Sequence, residues 1–186
     1  MIEINSESKA KFFAQHIGAE ILYPDTDNKI ITAYLTGISI SDGIETTYKR
    51  KKKGCSGDYL SFKSNGNHNS DALHAKIILK PLSSITDEDA IEVAEFMGLT
   101  EGDFEINHRP TDIHIDADSQ ELTLFFEDCS IYFNDFNSDE ASTGTDYLSV
   151  YDYLRSKGYA LPWMGLSVEQ MVEAGWIKLQ EVKDES

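Results

Sequence analysis

Cysteine is scarce in this chain. Cys55 and Cys129 are the only two, and neither belongs to a CxxC pair. That excludes a disulfide framework and leaves room for one bridge at most, with reduced thiols in a cytoplasmic protein the simpler reading. Long hydrophobic runs are missing too. No stretch approaches the ~20 apolar residues of a membrane span, and the opening MIEINSESKAKFF lacks the basic segment and apolar run of a secretory signal. The expectation is a soluble cytoplasmic protein without membrane association.

Catalytic signatures are absent as well. No serine sits in a nucleophile elbow, no glycine-rich loop precedes Lys-Ser or Lys-Thr, and no HExxH or deaminase pattern occurs. The sequence leans away from an enzyme and implies no cofactor. The last shortage is positive charge: 16 Lys and Arg against 33 Asp and Glu leave a net charge of −17 at pH 7. Such a surface repels phosphates and attracts basic protein faces, including those that normally hold DNA or RNA, although solubility alone also accounts for it.

What is present is an ordinary globular composition. Forty per cent apolar residues over 186 positions allow a sizeable core in one domain or two small ones. Residues Ser8 to Ile17 read as a short helix with Phe13 and Ile17 on one face, closed by Gly18. Ile30–Ile40, Asp58–Phe62 and Ala75–Leu79 read as strands of a small meander or open barrel, with a basic run and a polar loop between them. Pro81 breaks the pattern, and Thr86 with Asp89 caps a helix over Asp87–Met97 that has Ala90, Ile91, Ala94 and Met97 on its apolar side and Glu88, Glu92 and Glu95 on its wet side.

From Phe104 to Phe133 the period returns to two, with a hairpin turn expected at Ala117–Gln120. Tyr151 to Gly175 carries the densest signals. A helix over Thr145–Lys157 ends at Gly158, Ser167 and Gln170 have capping-box spacing, Leu166 and Met171 sit at staple positions, and Gly175 precedes a strand-like Trp176–Leu179. Strands and helices are segregated, so the expected class is α+β with mostly antiparallel sheet. The best boundary gives an N-terminal helix-plus-β unit, 1–82, and a C-terminal α+β unit, 83–186, with a single continuous domain as the alternative.

Four constellations could carry function. In Asp112-Ile113-His114-Ile115-Asp116, strand alternation sets Asp112, His114 and Asp116 on one face. That row could ligate a divalent metal, yet a half-exposed strand needs the same pattern for its wet side. Together with Asp118, Glu127, Asp128, Asp135, Asp139 and Glu140 it forms an acidic region that could engage a basic partner. Lys49, Arg50, Lys51, Lys52 and Lys53 could grip phosphates, with Tyr48 and Tyr59 to stack bases, or could keep a hairpin tip wet. Finally, Trp163 and Met164 occupy a turn that either presents them to a partner or plugs them beneath the neighbouring helices.

Ile78 to Ile91 (ILKPLSSITDEDAI), Tyr153 to Tyr159 (YLRSKGY) and the tail through Gly175-Trp176-Ile177 resemble a group of uncharacterised proteins from Bacteroides-type gut bacteria, their prophages and phages. The resemblance covers mainly the C-terminal half. It implies an intracellular, mobile-element setting and brings no catalytic residues; the −17 charge is what points to a basic host or phage protein as the partner. The sequence assigns no oligomeric state.

Overall fold

The computed structural model describes residues 2–24, 30–40, 43–50, 59–63, 73–96, 110–116, 121–126, 130–134 and 147–182. The chain divides into two compact units. The first comprises Met1–Leu79 and Glu169–Gln180, the second Lys80–Val168 and Glu181–Ser186.

The first unit opens with helix α1, Ser6–Ala14. Asn5 caps it: its side chain accepts the Ser8 N–H at 2.9 Å, and the Ser8 hydroxyl accepts the Asn5 N–H at 3.0 Å. This reciprocal pair starts the helix two residues before the expected Ser8, because Asn and Ser can satisfy the free N–H groups of a first turn as Ser and Glu do. At the other end, the His16 ring donates from Nδ1 to the Phe12 carbonyl at 2.9 Å, and Gly18 takes φ +94°. Phe12 and Phe13 are buried, whereas Ile17 is half exposed at 50%. The helix has ended before Ile17, which removes it from the apolar face the sequence assigned to it.

Six strands follow in one sheet: β1 Glu20–Pro24, β2 Ile30–Ser39, β3 Glu45–Arg50, β4 Tyr59–Lys63, β5 Lys76–Leu79 and β9 Ile177–Leu179. Their spatial order is β4-β3-β2-β1-β5-β9. All neighbours are antiparallel except β5 and β9, which run parallel with Ile77 opposite Ile177. The tail strand, expected in the C-terminal unit, therefore belongs to the N-terminal sheet. Ile177 and Leu179 beside Ile77 and Leu79 of β5 bury better there than alone, since a short strand is stable only when paired.

Two of these strands lie where the sequence reading placed none. Glu20–Pro24 sets its apolar residues Ile21, Leu22 and Tyr23 in a row rather than in alternation, and Glu45–Arg50 runs into the basic stretch that begins at Lys49. One face of the sheet is apolar, with Ile21, Tyr23, Ala33, Leu35, Tyr48, Ile77 and Leu79 all buried. Helix α1 lies against β2, and the Phe12 ring stands 5.7 Å from that of Trp176. A bulge at Thr36 bends β2 between Leu35 and Gly37. A Cβ at Gly37 would come within 2.8 Å of Thr47 Oγ1, so the crossing needs glycine.

The second unit contains a 3₁₀ turn, Leu82–Ser84, helices α2 Asp87–Phe96 and α3 Tyr147–Ser156, and a three-stranded antiparallel sheet of β6 Pro110–Asp116, β7 Glu121–Phe126 and β8 Ser130–Asn134. Helix α4, Val168–Glu173, starts one residue after Ser167 and crosses the division between the units. Ile85, Ala90, Val93, Val150, Leu154, Tyr159 and Leu161 form one buried cluster. Its positions Ala90 and Val93, and Val150 and Leu154, are the i, i+3 and i, i+4 spacings of helix faces turned inward. Gly158 and Gly175 both adopt positive φ, +84° and +75°, at the helix ends where the sequence required left-handed residues. The α+β class expected from the segregated pattern is the class observed.

Candidate functional site

The most tightly organised polar cluster surrounds Asp89, in the first turn of α2. Thr86 Oγ1 accepts the Asp89 N–H at 3.1 Å, the capping bond that the Thr86–Asp89 spacing predicts. The reciprocal half of the capping box is replaced by a tyrosine. Tyr159 places its hydroxyl between the two residues, accepting the Thr86 N–H at 3.3 Å and donating to Asp89 Oδ2 at 2.6 Å. Tyr153 donates to Oδ1 at 3.0 Å. Lys157 stands 3.7 Å from the same oxygen and 5.4 Å above the Tyr153 ring, while Lys80 lies 4.3 Å above the Tyr159 ring.

Burial alone would push the Asp89 carboxyl up. The bonds from Tyr159, Tyr153 and Thr86, with the nearby ammonium, outweigh it and hold the carboxyl below its ordinary range. Burial and the same carboxylate drive both phenols the other way, Tyr159 to about 12 and Tyr153 further. An ionised acid with three donors and two phenols that stay neutral have little capacity to exchange protons at neutral pH. The cluster is a brace joining α2 to α3.

The outer side of α2 is different. Asp87, Glu88, Glu92 and Glu95 are exposed, and the helix contains no basic residue. Glu88, Glu92 and Glu95 fall at i, i+4 and i+7, one stripe about 10 Å long at 1.5 Å per residue. Among the described residues no ion pair neutralises them. Phe96, 38% exposed, closes the stripe with its ring 5.4 Å from Tyr153.

The sequence-derived sites meet different fates. Asp112, His114 and Asp116 occupy alternate positions of β6, opposite Phe125, Thr123 and Glu121. Asp118, Glu127, Asp128, Asp135, Asp139 and Glu140 lie outside the described residues. No group of three or more His, Cys, Asp or Glu that could hold a metal ion comes together among the described residues.

In the basic run, Lys49 and Arg50 belong to β3 while Lys51, Lys52 and Lys53 lie outside the described residues. Tyr48 is fully buried, 6.1 Å from the Tyr23 ring, and burial pushes its phenol up to about 12. It cannot stack a base as expected, because strand alternation turns it to the core when Lys49 turns to solvent. Across the sheet, Lys49 is paired with Tyr34 on one side and Tyr59 on the other.

Pro162 to Leu166 divides the two hydrophobic candidates. Trp163 is buried at 5% and Met164 is 56% exposed. Trp163 and Leu166 exchange two 2.9 Å backbone bonds around Met164 and Gly165, whose φ values of +46° and +80° are those of a tight hairpin turn. Tyr151 donates to the Pro162 carbonyl at 2.6 Å and steadies the turn from behind. Trp163 is thus the plug, and only Met164 is presented.

No family model, no curated protein and no solved structure matches this chain. Its chemistry is therefore read from its own residues. Sequence reasoning identified Asp89 as a cap but missed its tyrosines, which lie 64 and 70 positions away and leave no local signal.

Proposed function

We propose that this chain is a non-enzymatic, acidic interaction protein that engages a basic protein partner in the cytoplasm. The carboxylate stripe of α2 supports the reading most directly. Like charges at i, i+4 cost a few tenths of a kcal/mol per pair, and Glu95 adds an anion at the negative end of the helix dipole. Glu88 suits the positive end of the helix, but Glu92 and Glu95 work against it, and carboxylates held at such a cost suit a surface kept for a partner. Asp112 and Asp116 of β6, with Asp118, Glu127, Asp128, Asp135, Asp139 and Glu140, extend the acidic surface on this reading, and Met164 offers an apolar contact. The −17 charge supports partners whose own surface is basic, such as nucleic-acid-handling or defence proteins of the cell or phage, which the resemblance of the C-terminal half favours.

The test is capture of partners by the immobilised full chain at about 50 mM and about 300 mM salt, where screening shortens to a few ångströms. A basic protein held at low salt, released at high salt and not held by the Glu88→Gln/Glu92→Gln/Glu95→Gln variant is the expected result. Equal capture by that variant would refute the role of α2.

A further inference from the structure

The two faces of the six-stranded sheet differ in kind. Along β1, β2, β3 and β5 the buried residues alternate with half-buried or exposed ones, and the second set defines an outer face. That face carries Lys49, Lys76 and Lys178, all exposed, against half-buried Glu20 and Glu45. Register also sets Lys63 of β4 opposite Glu45. Among the described residues of this face cations therefore outnumber acids, whereas the whole chain has twice as many acids as bases. A continuous row runs Glu20, Tyr34, Lys49, Tyr59 across β1, β2, β3 and β4.

We propose that this outer face is a platform for single-stranded nucleic acid, on which Tyr34 stacks an unpaired base while Lys49, Lys76 and Lys178 contact phosphates. An aromatic ring on an open sheet accepts any base by its π-face, and interleaved lysines follow the strand's backbone. A duplex keeps its bases paired and stacked and so offers Tyr34 no free base face. The carboxylates elsewhere on the molecule do not forbid it, since their field decays within about 10 Å at 0.1 M salt. The site is separate from the α2 stripe, so either can fail without the other.

Fluorescence anisotropy of the full chain with labelled oligothymidylate and oligouridylate of about 20 nucleotides, and with a duplex of equal length, tests the proposal. Three phosphate contacts predict a salt slope near −2, so affinity for the single strands should fall about 20-fold between 50 and 200 mM salt. Lys49→Glu, at an exposed position, should reduce that loss to about 7-fold and weaken binding at least about 10-fold at the lower salt. Tyr34→Ala should weaken binding about 5-fold or more with the salt slope unchanged. No binding of single strands at 50 mM salt, equal affinity for the duplex, or indifference to both substitutions overturns the proposal. So does displacement by polyglutamate as effective as by unlabelled oligonucleotide, which would mark the face as a generic anion patch for an acidic protein.

Discussion

The ammonium of Lys9 donates to the carbonyl of Gly175, 166 positions along the chain, at 3.0 Å. A second bond goes to the Leu73 carbonyl. One buried side chain of α1 thereby ties together the approaches to β5 and β9, and it does so as a cation in a place that disfavours charge. Burial, with Lys76 nearby, pulls its pKa down to about 8 from 10.5.

The folded value of Lys9 lies below the unfolded one, so between about pH 8 and 10.5 the unfolded chain binds more protons. Stability should rise with pH across that window, by about 3 kcal/mol at most. Urea titrations followed by tryptophan fluorescence at pH 7.5, 9 and 10 check it. Lys9→Met should abolish the rise and cost about 1–3 kcal/mol at pH 7.5, since two carbonyls lose their donor. A rise that persists in the variant would assign the effect to other groups.

The Asp89 brace is sensitive at both ends of the pH scale, its carboxyl with the same sign as Lys9 and its two phenols with the opposite one. Its carboxyl lies below the ordinary 3.8, so its contribution is whole above about pH 4 and is lost as pH falls through the folded value. Tyr153 and Tyr159, raised above 10, contribute fully below pH 10 and lose their contribution above it. Tyr159→Phe should cost about 1.5–3 kcal/mol at pH 7, because a charged acceptor loses a bond of 2.6 Å. Asp89→Asn should flatten the acid limb of the stability curve.

Glu95→Gln should stabilise α2 by about 0.3–1 kcal/mol, through relief of the dipole and of its like-charged neighbour Glu92. Thermal melts measure the gain. Coupling of that gain to weaker partner capture is the signature of a residue kept for binding.

Met164→Gly should stabilise the Trp163–Leu166 turn by up to about 1 kcal/mol, because φ +46° is unfavourable for a side chain with a Cβ and free for glycine. Met164→Ala keeps the strain and should leave the melting temperature nearly unchanged. Loss of partner capture in both variants would show that the methionine is held there for contact.

Much of the fold was legible wherever the physics is local. Thr86 and Asp89 announced the start of α2 because a hydroxyl three residues from an N–H closes a cap in any context. Gly158 and Gly175 marked ends because only glycine takes their backbone angles without strain. Alternation in Asp112–Asp116, Glu121–Phe126 and Ser130–Phe133 announced the second sheet, while the run Phe104–Asn107 read with them lies outside the described residues. β1 and β3 left no such signal, since β1 places Ile21, Leu22 and Tyr23 consecutively and β3 ends in the cations Lys49 and Arg50.

By itself the sequence determined the acidic balance, the α+β class, most helices and their glycine ends, all of which depend on residues within a few positions of one another. Only the tertiary structure decided that Tyr48 belongs to the core and Tyr34 to the outer face, that Trp163 plugs while Met164 protrudes, and that Tyr153 and Tyr159 converge on Asp89. It also decided that β9 pairs with β5 and that Lys9 reaches Gly175. These depend on register and burial summed over contacts between distant segments, where a shift of one residue exchanges the two faces of a strand.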